Sequence, residues 1–152
     1  MYVTYEEQQE AIKTNVESLR YMPFVTEDLL LQAVEMSPCS LGYMCEPSEA
    51  VQMSAVTLYP TALQYIDNPL ESVQEASVRL WWWSIMHVDN PSENIQTLAV
   101  GRDARAIEYI QNPTKKVQIM AVSDNPSTVS LIHNPSSEVL SLAIDLGYDP
   151  KY

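Results

Sequence analysis

Three consecutive tryptophans, Trp81, Trp82 and Trp83, fall beside Arg79, Arg102 and Arg105 when the chain is stacked in 22-residue units, and those arginines are half of the basic residues in the second half of the chain. Flat indole rings beside planar guanidinium groups suit one kind of work. They cover broad apolar area and hold a carboxylate or carbonyl at its edge, and Trp, Tyr and Arg are the types enriched at binding hot spots. The same types can stack on a nucleobase while an arginine holds its phosphate. Asp103, set between Arg102 and Arg105, also permits a third reading, the Trp, Asp and Arg groove of a helical enzyme acting on DNA bases. No Ser/His/Asp or Cys/His constellation accompanies these residues, and no metal-ligand spacing does. Cys39 and Cys45 lie six apart with no histidine nearby, and are expected to be buried or half-buried free thiols at the two ends of one helix. The chain has only Gly42, Gly101 and Gly147, so there is no glycine-rich phosphate loop. No catalytic residue, metal or cofactor is assigned.

The element that must carry the tryptophans is a repeat. Pro47, Pro69, Pro91, Pro113 and Pro135 stand 22 residues apart. A fixed period of this size marks a stack of supersecondary units. The same frame extends back without the proline to Val25 and Val3, giving seven units. Asn68, Asn90, Asn112 and Asn134 precede the prolines, which reads as an N-cap followed by proline at the first helical position. Glu49, Glu71 and Glu93 would then face the helix dipole and reach back to the cap. Val51, Val73, Ile95, Val117 and Val139 follow four residues after the proline. Pairs such as Ala55–Val56 and Ala143–Ile144 come eight and nine after it, completing one buried helical face. A second helix of about two turns starts thirteen residues after the proline, behind Asn15, Ser37, Tyr59, Asp103 or Asn125. Its apolar positions run Leu19, Leu41, Leu63, Ile85, Ile107, Val129 and, three later, Met22, Met44, Ile66, Val88, Ile110, Ile132.

The expected fold is all-α: a right-handed-type α-solenoid of seven 22-residue two-helix repeats, HEAT- or armadillo-like in miniature. It forms one domain over residues 1–152, with repeats starting near 3, 25, 47, 69, 91, 113 and 135. The recurring N-P-S/T-x-x-V-Q-x-x-A-V pattern resembles a family of short helical repeats of unknown function common in phage and bacterial proteins. That resemblance implies architecture and a small interaction protein, but no shared catalytic residues.

Two repeat positions read as structural. Gln8, Gln52, Gln74, Gln96 and Gln118 would bond along the stack or tie down the loops between units, with a ligand-binding ladder as the alternative. Tyr21, Tyr43, Tyr65 and Tyr109, with His87 and Leu131 as substitutes, would form a half-buried aromatic ladder. Lys115–Lys116 reverses the usual acidic helix start, either as a solvated pair or as a docking contact. In the last unit either Tyr148 and Tyr152 fold over the final face, or a second copy covers Val139, Leu140 and Leu142 in a twofold dimer.

The net charge is −12. Residues 1–76 hold 12 acids against Lys13 and Arg20, and residues 77–152 hold 8 acids against six bases, so the charge sits in the first half. Such a chain repels a nucleic-acid backbone, and direct DNA or RNA binding is not expected. No apolar stretch is long enough for a membrane span and the first residues are not a signal peptide, which points to the cytoplasm, the bacterial host's if the chain is phage-encoded.

The leading expectation is a non-catalytic interaction module, an inhibitor or adaptor that binds a host protein. Trp81, Trp82, Trp83, Tyr59, Arg79, Arg102 and Arg105 would form its edge, and the acidic half would steer a basic or nucleic-acid-binding partner. Met36, Leu58 and Leu80 are expected on the same edge. Alternatives are a nucleotide or cyclic-nucleotide binder and a DNA-mimic inhibitor. Protein binding predicts that Trp82→Ala loses the partner with stability nearly intact.

Overall fold

The computed structural model describes residues 4–150. Among them the chain alternates α-helix and 3-10 helix in the order α1 (Tyr5–Thr14), η1 (Val16–Tyr21), α2 (Glu27–Met36), η2 (Pro38–Tyr43), α3 (Glu49–Leu58), η3 (Pro60–Tyr65), α4 (Glu71–Leu80), η4 (Trp82–His87), α5 (Glu93–Arg102), η5 (Ala104–Tyr109), α6 (Lys115–Asp124), η6 (Pro126–Leu131) and α7 (Ser137–Asp145). Each α-helix begins 22 residues after the one before it. The protein is all-α and solenoid-like, built of seven such repeats. Its contacts divide it into two compact units, Met1–Ser77 and Val78–Tyr152.

In the first unit α1 packs on α2 and α2 on α3, while η1, η2 and η3 pack in sequence beside them. Leu29, Ala33, Val51, Ala55 and Val56 are fully buried. In the second unit α5, α6 and α7 pack in order beside η4, η5 and η6. There Ile85, Ile95, Ala99, Ile107, Val117, Ala121 and Val139 belong to one continuous core. Each large aliphatic side chain buried this way stabilises by roughly 1.5–3 kcal/mol relative to exposure. The alanines let successive helices approach. Ala11, Ala33, Ala55, Ala99 and Ala121 also accept, through their carbonyls, the N–H of the extended residue that ends each α-helix. Ile144 departs from the expected pair: it is exposed, since no following repeat lies on it among the described residues.

The second helix of each of the first six repeats is two turns, but of 3-10 type. Its apolar stripe has period three: Val16, Leu19, Met22 in one repeat and Ala104, Ile107, Ile110 in another. With three residues per turn those side chains eclipse on one face, whereas an α-helix would rotate them apart. Six residues also close more i→i+3 bonds than i→i+4 bonds. The N-caps expected for this helix stand: the side chains of Asn15, Asp103 and Asn125 accept from Glu17, Arg105 and Ser127 N–H.

The cap of the first helix needs correction. Asn68 and Asn90 are not caps; both adopt left-handed backbone, at φ 54° and 50°. Asn tolerates that region better than most residues. The prolines after them lie outside the helix. The caps are Ser48, Ser92, Thr114 and Ser136, whose hydroxyls accept from Val51, Ile95, Val117 and Val139 N–H. Leu70 stands at that position before α4, with its carbonyl accepting from Val73 and Gln74. Glu49, Glu71 and Glu93 are therefore the first helical residues, where they still meet the helix dipole. A capping box closes α1 instead, between Thr4 and Glu7.

Thr114→Ala should thus lower stability by about 1 kcal/mol, the usual loss for a cap hydroxyl. Asn112→Ala should change it by much less. Urea denaturation of the two variants measures the difference; equal losses would restore asparagine as the cap.

The glutamines do tie loops. Gln52, Gln74, Gln96 and Gln118 each donate through Nε2 to the carbonyl of the proline five residues earlier, at 2.8–3.1 Å. Gln8 donates to Phe24 O instead. Lys115 and Lys116 are exposed and bridge to Glu138 and Glu93 on the neighbouring helices. The first repeats add a network that composition hid. Tyr5 donates to Asp28, which also accepts from Gln32, and Gln9 donates to Gln32. The Asp28 contact raises the Tyr5 pKa above its ordinary value.

Candidate interaction surface

The period-three stripe decides what each tryptophan does. Trp82 is the first residue of η4, three before Ile85 and six before Val88, so it falls on the buried face. It is half-buried and packs against the core of the second unit. Trp81 precedes it as the extended cap residue, at φ −146° and ψ 101°. Trp83 follows it, and both flanking rings turn outward, 52% and 44% exposed. The Trp82 and Trp83 rings stack with centroids 5.5 Å apart and planes inclined by 5°. Trp83 also meets Tyr109 of η5, tilted by 44° at 6.1 Å.

The Arg105 guanidinium lies 5.8 Å from the Trp82 ring centre. Asp103 fixes it there, accepting from Nε at 2.9 Å and Nη2 at 2.5 Å, while the same carboxylate caps η5 through Arg105 N–H. The arginine is held in place by a fork of two bonds, which makes it a positioned rather than a wandering charge. Those bonds hold the Asp103 carboxyl below the usual range and push the Arg105 pKa up. Because the folded pKa of Asp103 is lowered, its contribution is complete above the ordinary Asp value and is lost as pH falls through the folded one. Acid titration should therefore change tryptophan emission below about pH 4, and Asp103→Asn should remove that step. Matching acid profiles for the two proteins would show that the pair does not position Arg105.

Arg79 and Arg102 stand exposed in the last turns of α4 and α5. Leu80 is exposed beside Trp81. Tyr59 belongs to the first unit, where it caps η3 and is exposed together with Leu58 and Met36. In the repeat frame Tyr59 and Trp81 are equivalent residues, as are Met36, Leu58 and Leu80. The structure thus brings Trp82, Trp83, Arg105 and Tyr109 together in the second unit, with Trp81 next to them in the chain. Tyr109 and the Asp103 clamp were not expected there. Their signal in the sequence was their spacing: Tyr109 is four residues after Arg105, and Asp103 two before it.

The expected tyrosine ladder is uneven. Tyr21 is 76% exposed, so it stands free of packing, while Tyr43 is half-buried and donates to Glu17. His87 is half-buried at the end of η4, and burial pushes its pKa down, favouring the neutral ring. Cys39 is half-buried inside η2 rather than at its end; Cys45 is exposed, since the residue after Met44 leaves the apolar stripe. Among the described residues no group of three His, Cys, Asp or Glu side chains is arranged to hold a metal ion.

In the last repeat Tyr148 packs on the core of its own unit, while Leu140 and Ile144 stay exposed. Tyr152 lies outside the described residues. Of the three residues assigned to a dimer face, Val139 is buried within its own unit and Leu142 is partly buried there; Leu140 is exposed. Among the described residues no helix is long and apolar enough to cross a membrane.

No family model, curated protein or solved structure matches this chain. What stands of the family resemblance is therefore the architecture alone, an α-helix and a 3-10 helix every 22 residues.

Proposed function

We propose that the chain is a non-catalytic interaction module whose second unit holds a protein partner at the Trp81–Trp83 edge. The observation that carries this reading is the exposure of Trp81 and Trp83 around a half-buried Trp82, with Arg105 over the Trp82 ring and Tyr109 against Trp83. A stacked and clamped cluster loses little conformational freedom on binding, which is what distinguishes an affinity-giving surface from loose apolar residues. The partner that suits it has an apolar recess for the indoles and a basic surface, because residues 1–76 carry most of the acids. In its specific form the module is an inhibitor or adaptor.

Nucleotide binding is less well supported. Arg105 would have to exchange its Asp103 carboxylate for a phosphate, so its charge is already engaged. Affinity capture with wild-type protein beside the double variant Trp81→Ser, Trp83→Ser tests the proposal. A partner held by the first and lost by the second supports it. Identical captures, together with a nucleotide-induced rise in melting temperature, would replace it by the nucleotide reading.

A further inference from the structure

We propose that the exposed face of α7 is where a second copy of the chain packs, α7 against α7, antiparallel about a twofold axis. Ser137, Leu140, Ser141, Ile144 and Asp145 are all exposed and fall at the i, i+3, i+4, i+7 and i+8 positions of one helical stripe. At its centre Leu140 and Ile144 are 39% and 48% exposed. Tyr148 packs on the core of the unit, yet both of them stay uncovered.

The interface between α5 and α6 shows what this stripe does elsewhere in the unit. Its equivalent on α5 is Glu93, Gln96, Thr97, Val100 and Gly101, and α6 lies on it. Lys116 bridges to Glu93. A Cβ at Gly101 would stand 2.9 Å from Met120 Cε, so the two helices meet there closely. Between those contacts Gln96 and Val100 are buried. Val122 of α6, equivalent to Ile144, is likewise buried where α7 follows. Among the described residues no helix follows α7, and its two large apolar side chains stand at positions the repeat otherwise covers. Leu140 sharpens the point. Gln52, Gln74, Gln96 and Gln118 hold that position with an amide that ties the adjoining loop, and a leucine offers only contact area. Leu30, a leucine at the same position in α2, is half-buried against the core of its own unit.

Charge selects how the second copy docks. Head-to-tail stacking would lay its α1 on the stripe, continuing the repeat. The α1 residues equivalent to Lys116 and Met120 are Glu6 and Glu10, both exposed acids. Glu10 would then take the place of Met120, against Ile144 and Asp145. That buries a carboxylate without a partner and beside a like charge. An antiparallel α7 meets no such conflict. The stripe holds no base and a single acid, Asp145, in the last turn. In the reversed pair Asp145 falls beside Ser137 of the second copy, in a first turn whose dipole attracts a carboxylate. Ser141, midway between those two residues, meets its own copy at the axis, as an isologous contact requires. Its small side chain lets the helices approach while Leu140 and Ile144 of each copy close over the contact.

Sedimentation equilibrium of the full chain is the test. A face one helix wide is small for a specific interface, so the dimer should dissociate in the range of about 10–100 μM. Leu140→Gln restores the residue of other repeats and should weaken association about tenfold. Adding Ile144→Gln should leave a monomer at all but the highest concentrations. Both side chains are exposed, so melting temperatures should stay near wild type. A second measurement fixes the geometry. With Cys39→Ala and Cys45→Ala as background, Ser141→Cys should form a disulfide-linked dimer on mild oxidation. Four results overturn the proposal. One is a monomer up to about 1 mM, which leaves the face to another protein or to further chain. Another is a dimer that the Leu140→Gln, Ile144→Gln variant does not weaken. A third is a dimer lost in the Trp81→Ser, Trp83→Ser variant, which would move association to the tryptophan edge. The last is cross-linking of Ser141→Cys chains to Glu10→Cys chains rather than to each other, the mark of head-to-tail stacking.

Discussion

Replacing Trp81 and Trp83 together by serine is expected to weaken partner binding by about 30-fold or more, the effect of losing a hot spot of about 2 kcal/mol. The melting temperature should fall by only a few degrees. Both rings are about half exposed, so the fold loses mainly the Trp83 contacts with Trp82 and Tyr109. Aromatic pairs of that kind contribute roughly 0.5–1.5 kcal/mol each. Trp82→Ala should behave in the opposite way. Its ring packs against the core of the second unit, so truncation leaves a void under η4. Core Trp→Ala changes cost about 3–5 kcal/mol, and a half-buried ring should fall at or just below the lower end. The expectation that Trp82→Ala would leave stability nearly intact is thereby revised, and the flanking tryptophans become the clean probes. Titration of purified partner against each variant, beside thermal melts, separates the two effects. If the Trp81/Trp83 variant binds as tightly as wild type, the edge is not the binding site. If Trp82→Ala melts like wild type, its packing role is wrong.

The proline spacing made the repeat legible, because one period repeated across the chain outweighs any single propensity. Helix type was harder. The stripe Leu63, Ile66 or Ile107, Ile110 advances by three, which is the 3-10 signature, yet so short an apolar run is easily taken for a piece of α-helix. Only a period-three face singles out residue 82, rather than 81 or 83, for the core. The start of the first helix was misplaced for a different reason. Asn followed by Pro satisfies the rule for a cap and first turn, but so does the Ser or Thr after the proline. Backbone conformation decides between them, and the left-handed φ of Asn68 and Asn90 comes from packing the loop between repeats. The Asp103–Arg105 clamp was half visible, as a cap and a charge two residues apart. That both serve Trp82 depends on η5 lying beside η4, a tertiary fact.

Ile107→Ala should produce the largest loss of stability, about 2–5 kcal/mol. Ile107 is 1% exposed and occupies the middle of the η5 stripe, between Ala104 and Ile110. Around it η5 packs against α5, α6, η4 and η6. A repeat protein has no distant contacts to redistribute such a loss: each unit is held by its own fold and by its neighbours. The cavity therefore weakens several interfaces at one place. Set against a total of about 5–15 kcal/mol for an ordinary domain, the change removes a large fraction of the stability. Ile107→Val should cost about 0.5–1.5 kcal/mol, because one methylene is lost rather than three carbons. Glu108→Ala, on the exposed side of the same helix, should stay within about 0.5 kcal/mol of wild type. Urea unfolding followed by tryptophan emission measures all three, since every tryptophan of the chain lies at 81–83 in the same unit. The order Ala, Val, Glu108→Ala is the discriminating result. A 3-10 helix lying loosely on the surface would give three small and similar values. A six-residue 3-10 helix is longer than such helices usually run, and it persists only when one face is buried. A large loss at residue 107 beside a negligible one at 108 would show that packing, rather than local propensity, holds the second half of each repeat in its 3-10 form.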